Sequence, residues 1–398
     1  MSRTALLPAA DPLSLEALRF LSSSPGQRLL ARTASLADDE LRAQEILRAE
    51  YPAAWCRAAL ALVELRRAAV AKFPAADRMY FDRPGLEMAS AAVVADHRAR
   101  RFARYGTVLD LCCGIGGDLL ALSRESSVLA VDLDRRRLEM ARLNARALDR
   151  TQVRLVAADV CRLRLAGNAA FVDPARRLAD GTRQRSAASY SPPLSWLTEL
   201  RRQVPATAVK LSPAIDEAEL PTDGELEWVS WRGQCREAVC YFGPLATARR
   251  RATVLPAGDS LTETPDAAPV PVGPPGPFLF DPDPAVVRAH LIEPLARRLG
   301  AWLLDRRVAY LCAETGSSTP FASVYRVLEW LPFQLKRLRQ RLAGEGFFPV
   351  EIKKRAVAME PDELRRRLGL RGGSRPVTLV HTRVGQSPLV AICEKWTG

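Results

Sequence analysis

The sequence predicts an α/β protein: a doubly wound, mostly parallel sheet, with a helical segment before it and an α+β domain after it. Three observations carry this. Residues 107–134 read TVLDLCCGIGGDLLALSRESSVLAVDLD. An apolar run, Val108–Leu111, ends in the turn Gly114-Ile115-Gly116-Gly117; a helix-like segment follows, then a second apolar run, Val128–Val131, ending at Asp132. This is a β-α-β unit with a ligand loop after its first strand. Apolar runs and helix-like segments then alternate up to residue 211, which makes the strands parallel. Finally, ELEWVSW and REAVCYF are joined by a tight Arg-Gly-Gln turn with no room for a helix, so they pair as an antiparallel hairpin.

The elements follow in order. Residues 1–77 read as helices: Leu15, Leu18 and Leu21 fall at helical spacing, as do Leu36, Ala43 and Leu47, and Trp55–Val70 is rich in Ala and Leu. A transition, KFPAADRMYFDRPG, leads to a helix over 86–104. The central domain spans 78–252, with strands at 107–112, 127–132, 152–157, 168–173, 206–211, 225–231 and 236–242. Its helices fall at 117–124, 134–148 and 193–203. Residues 253–277, rich in Pro, Gly and small polar residues, read as a linker without a core. The last domain, 278–398, reads as helix 285–299, strands 307–312 and 323–329, helix 332–343, strand 348–357, helix 361–368, and strands 376–382 and 388–394. It holds twenty Lys and Arg against twelve Asp and Glu, about +8 of the net charge.

Composition narrows the function. The chain has 398 residues, a formal net charge of +13 and a pI of about 9.8. Such an excess favours polyanions, nucleic acid first. His97, His290 and His381 are too scattered for a His-based metal site, and the eight Cys include no C-x-x-C pair, which argues against zinc and disulfides. Cys112 and Cys113 read as small buried fillers. Charges interrupt every apolar run, so no membrane span is expected, and no signal peptide is evident. The expected setting is cytoplasmic.

The ligand loop admits two cofactor classes. A dinucleotide site wants G-x-G-x-x-G, but the spacing here is G-x-G-G. Asp110, ahead of the glycines, would repel a pyrophosphate yet suits a ligand carrying an ammonium and a sulfonium, such as S-adenosylmethionine. Asp132 suits a ribose diol, since a carboxylate accepts from both hydroxyls. Asp134 more simply caps the helix after it.

The pattern D-x-x-x-G-x-G resembles motif I of the class I methyltransferases, with Cys112 where a glycine often stands. Five parallel strands closed by a hairpin match their Rossmann-like sheet. YFDRPGLEMAS, FVDPARR, YSPPLSW, EAVCYFGPLA, FDPDPAVVRA and EIKKRAV extend the likeness over roughly 80–395, to bacterial class I methyltransferases with a C-terminal THUMP-like domain. The resemblance implies S-adenosylmethionine as cofactor, held by Asp110, Gly114, Gly116, Asp132, Asp159 and Glu87. Asp159 would accept from the adenine amino group; its plain alternative is a capping aspartate. Asp173-Pro174 falls where amino-methylating enzymes carry Asp/Asn-Pro-Pro-aromatic and orient an amine, but Ala175 and Arg176 replace the last two residues. The resemblance also implies an RNA substrate, tRNA or rRNA. Arg176, Arg177, Tyr190, Lys353 and Arg355 are the expected contacts, with the charge run Arg249-Arg250-Arg251 beside them. Direct displacement at the methyl is expected, because neither Cys161 nor Cys240 lies in a loop suited to attack on a ring carbon. Two rivals remain at this point. One is a methyltransferase acting on a small molecule or protein; the other is a non-catalytic RNA-binding protein that retains the cofactor.

Overall fold

A computed structural model describes residues 12–36, 40–176, 190–370 and 372–398. It divides into two compact units. The first takes the chain up to Gly224 and again Val239–Thr247; the second takes Glu225–Ala238 and Ala248–Gly398.

The first unit begins with four helices: α1 (Leu15–Leu21), α2 (Ser24–Leu36), α3 (Glu40–Arg48) and α4 (Ala53–Ala69). Ser14 caps α1 by accepting from the Ala17 N–H at 3.2 Å. Their apolar stripes bury Leu18, Leu21, Leu29, Leu47 and Leu62, and the same core takes in Ile115, Leu120, Met140 and Leu143 from around the glycine turn. The expected border at 77/78 is therefore not a break in packing. The helix expected over 86–104 is interrupted. It forms as α5 (Arg83–Met88) and α6 (Ala92–Ala99), with Ala89 and Ala91 extended between them. Lys72 Nζ donates to the carbonyls of Leu86, Glu87 and Ala89 at 2.7, 2.9 and 3.2 Å, satisfying groups that a continuous helix would have paired internally.

The sheet of this unit runs β3 (Val153–Ala157), β2 (Ser127–Asp132), β1 (Thr107–Leu111), β4 (Ala169–Val172), β7 (Thr207–Leu211), all parallel. Helices α7 (Gly117–Leu122), α8 (Arg135–Ala147) and α9 (Leu197–Gln203) connect them. Asp134 caps α8, accepting from the N–H groups of Arg136 and Arg137. Two short strands, β5 (Ala175–Arg176) and β6 (Tyr190–Ser191), pair antiparallel just after β4.

The second unit opens with the expected hairpin, β8 (Glu225–Trp231) and the start of β9 (Gln234–Tyr241). Arg232 and Gly233 both have positive φ, 54° and 69°, which matches the right-handed twist of the strands they join. β10 (Arg250–Leu255) then adds parallel to β8, and β11 (Asp259–Thr262) antiparallel to β10. The expected linker thus contains strand, and its proline-rich remainder begins only after 262. Burial of Ala252, Leu255 and Leu261 outweighs the poor strand composition of that stretch.

A seven-stranded sheet forms the rest, in the order β13 (Trp302–Asp305), β14 (Val308–Ala313), β12 (Phe278–Pro282), β15 (Ala322–Pro332), β18 (Ser387–Lys395), β17 (Arg375–Val384), β16 (Phe347–Lys354). Only β16 and β17 are parallel. The helix expected over 285–299 is two, α10 (Pro284–Arg288) and α11 (Ile292–Leu299), parted at His290 with φ of 57°. Helices α12 (Leu335–Gly344) and α13 (Pro361–Leu368) bury Leu338, Leu342, Leu364 and Leu368 with Ile352, Leu379 and Ile392. Among the described residues no helix is long and apolar enough to cross a membrane.

Candidate active site

Strand β1 delivers Asp110 to its carboxyl end, four residues ahead of Gly114. Asp110 is fully buried, and neither carboxylate oxygen has a hydrogen-bond partner. Burial drives its pKa well up; the neighbouring acids Asp118 and Asp173 add to this, and Arg98 opposes it. An orphaned buried carboxylate is costly, and a cation supplied from outside would relieve it.

The turn after β1 is built from left-handed residues: Cys112 at φ 64°, Gly114 at 54° and Gly116 at 86°. A Cβ on Gly114 would meet nothing within 4 Å, so that face of the turn is open. A Cβ on Gly116 would come within 3.1 Å of Ala141 Cβ, so this glycine lets α8 approach the loop. Asp132, at the end of β2, accepts from Gly114 N–H at 2.7 Å through Oδ2 and from Asp134 N–H at 2.9 Å through Oδ1. Both oxygens keep a lone pair for a further donor. Leu133 beside it is 69% exposed, an apolar residue presented next to an acid.

Asp159 takes its plainer role: Oδ1 accepts from Cys161 N–H at 3.0 Å and caps the turn after β3, although its carboxylate stays part-exposed. Glu87 lies exposed near the end of α5, where its carbonyl accepts from Lys72.

Asp173 follows β4, and its N–H donates to Leu111 O at 3.0 Å, which ties it to the end of β1. Parallel register pairs Val172 with Val209, so Lys210 on β7 arrives beside Asp173. Lys210 Nζ sits 2.8 Å from Asp173 Oδ2 and 3.3 Å from Met88 O. Burial raises the Asp173 pKa, and Lys210 pulls it back. The sequence does not foretell this pair. Nor does it foretell Arg98, which forms a buried ion pair with Asp118, donates to Ser90 Oγ at 3.0 Å and lies 4.5 Å over the Phe171 ring.

Several expected substrate contacts are placed elsewhere. Tyr190 is 2% exposed, and its hydroxyl accepts from Ser212 N–H at 2.9 Å. It pins the Asp173 loop and offers no stacking face, a correction to the sequence reading. Met88, 51% exposed and next to the Lys210–Asp173 pair, is the apolar surface at that point. Pro174 is buried. The side chain of Arg176 and the whole of Arg177 lie outside the described residues. Lys353 and Arg355 do share a face, but both close on Asp281, at 2.7 and 2.8 Å, so they are charge-compensated within the domain. Arg251 is likewise paired with buried Glu225 at 2.8 Å.

Among the described residues no cluster of His, Cys, Asp and Glu could hold a metal ion. The thiols of Cys112, Cys113 and Cys161 are all pushed up, by burial first and then by acids nearby, which leaves them protonated and poorly nucleophilic.

Comparison with known proteins meets the same segments. A family model described as a methyltransferase domain matches residues 108–173, and one described as THUMP domain-like matches 322–395. A domain of unknown function matches 14–69. Two curated relatives, both uncharacterised S-adenosylmethionine-dependent methyltransferases of Mycobacterium tuberculosis (strains CDC 1551 and H37Rv), are 42% identical over 317 residues, 78% of this chain and 86% of theirs. A crystal structure of a provisionally named methyltransferase from Porphyromonas gingivalis W83 superposes with a TM-score of 0.77, covering 93% of this chain and 99% of its own at 22% identity, a likeness of fold.

Proposed function

The chain belongs to the S-adenosylmethionine-dependent methyltransferases, and on that premise we propose that it methylates a base nitrogen of RNA, tRNA or rRNA, by direct displacement. When bound, the cofactor supplies an electrophilic methyl on a positively charged sulfur. Asp110, Gly114, Gly116, Asp132 and Asp159 would hold it, with Leu133 an apolar cover beside the ribose acid. The orphaned charge of Asp110 suits a ligand that brings its own cation.

The acceptor side belongs to Asp173. Lys210 occupies Oδ2; Oδ1 has no partner among the described residues, and the side chain is 29% exposed. That oxygen can accept from an exocyclic N–H and turn the nitrogen lone pair toward the methyl. Its raised pKa lets the same carboxylate take the proton released. The Pro174 carbonyl follows as a second acceptor on the same loop. Met88 can support a flat ring where the family's aromatic residue is missing.

The observation that carries the RNA assignment is the THUMP domain-like match at 322–395, in a domain with twenty basic to twelve acidic residues. Such domains accompany RNA-modifying enzymes, and basic surface favours phosphate. Nucleoside mass spectrometry of total RNA from cells with and without the gene tests it: one methylated nucleoside should vanish in the deletion. Asp173→Ala should fail to restore it while the protein still binds RNA. An unchanged nucleoside profile in the deletion sinks the RNA assignment, and full restoration by Asp173→Ala removes Asp173 from the chemistry.

A further inference from the structure

We propose that the paired helices α12 and α13 of the C-terminal domain form the face that grips the RNA phosphate backbone, through Lys336, Arg337, Arg339 and Arg366. The inference rests on the RNA reading above and deepens it by naming the contact surface.

Both helices turn leucines into one core: Leu338 and Leu342 from α12, Leu364 and Leu368 from α13. The outward residues are then left for solvent. α12 reads LKRLRQRLAG, with four cations and no acid. Arg341 is compensated by Glu329 and Glu345, each at 2.6 Å. Lys336, Arg337 and Arg339 are exposed and make no ion pair among the described residues. On α13, Arg367 is paired with Glu363 at 2.7 Å and Arg365 donates to Pro349 O at 2.8 Å, whereas exposed Arg366 has neither kind of partner among the described residues. A Cβ on Gly369, which ends α13, would lie 3.9 Å from Arg339 Nη2 and 3.9 Å from the Arg366 carbonyl. Arg339 therefore reaches the end of α13, with Lys336 one turn before it on the same side of α12 and Arg337 and Arg366 on the exposed sides of their helices. Asp362, exposed in the first turn of α13, offsets one of the four.

The contrast with Lys353 and Arg355 decides the location. Those two close on a carboxylate inside the domain, so a phosphate would have to displace Asp281 to reach them. The four helix cations need displace only counterions, and the release of those counterions drives binding to a nucleic-acid backbone. An anionic membrane would also attract charge, but stable binding there wants an inserted apolar face. Neither helix exposes a large apolar side chain.

The test uses the full chain and unfractionated tRNA from a strain lacking the gene. Lys336→Gln, Arg337→Gln, Arg339→Gln and Arg366→Gln are combined in one variant. A control variant removes four exposed cations elsewhere: Arg28→Gln, Arg57→Gln, Arg306→Gln and Arg307→Gln. The helix variant should lose at least about tenfold in affinity near 0.1 M salt, and its log–log salt slope should become shallower by about 3. The control should change far less. Equal losses in the two variants, or none in the helix variant, overturn the assigned face while leaving the RNA reading intact. Wild-type protein that binds phosphatidylserine vesicles but neither tRNA nor rRNA overturns both. Circular dichroism of both variants should match wild type, since all eight residues are exposed.

Discussion

Asp110, fully buried, and Asp173, part-buried, are neighbouring acids with different fates. Asp110 has no partner, so its proton is held to a higher pH in the folded chain than in the unfolded one, where the pKa is about 3.9. The folded ligand-free protein thus binds more protons than the unfolded chain over that window, and its stability falls as pH rises through it. Asp110→Asn should raise the melting temperature, by a margin that widens from about pH 4 upward, while weakening S-adenosylmethionine binding. A margin that stays flat with pH in thermal unfolding would refute the assignment of an uncompensated charge. Asp173 instead has Lys210. Lys210→Met should leave its burial opposed only by the weaker pull of Arg98, raise its pKa further and move the acid limb of the pH–rate profile upward, with kcat down roughly tenfold or more at neutral pH. Lys210→Arg should restore both. A profile unmoved by Lys210→Met would remove Lys210 as the residue positioning Asp173. This pair was not legible in the sequence, because it exists only once the register of two parallel strands is fixed. Asp132 and the glycines were legible, since their signal is local: an apolar run, then residues that tolerate a left-handed backbone.

At the level of elements, one side chain links the helical segment to the ligand loop. Asn144 on α8 is fully buried; its Oδ1 accepts from Tyr80 N–H at 2.6 Å, and its Nδ2 donates to Tyr80 O at 3.0 Å and Ile115 O at 2.9 Å. Asn144→Ala strands three buried backbone groups and should cost about 3 kcal/mol. It should also loosen cofactor binding, because Ile115 stands between Gly114 and Gly116. Calorimetric titration with S-adenosylhomocysteine, alongside urea unfolding, checks both; lost stability with unchanged affinity would separate the clamp from the loop. The strands of the central sheet were readable to within a residue or two, since each is a short apolar run stopped by Gly, Asp or Pro. Elements were misread where composition and packing disagree. β10 and β11 hide at the start of a Pro- and Gly-rich stretch because only their pairing with β8 makes them strands. The helix over 86–104 breaks because Lys72, fourteen residues before Leu86's carbonyl, satisfies the freed groups.

At the scale of the whole molecule, the expected division at 252 falls inside β10, between Ala252 and Thr253. A chain ending at 262 keeps β10 and β11 whole, whereas one ending at 252 leaves β8 half-covered and an open strand edge. The longer truncation should give the higher soluble yield and the sharper thermal transition; equal behaviour would show that β10 and β11 contribute nothing to the preceding strands. Strand β9 begins in one unit and finishes in the other, and the chain returns to the second only after Thr247. Domains strung end to end can be traded between genes at the joint. Here a crossover anywhere from 225 to 247 would divide a hairpin or orphan a strand, so an exchange that spares these strands has to fall past β11, beyond residue 262.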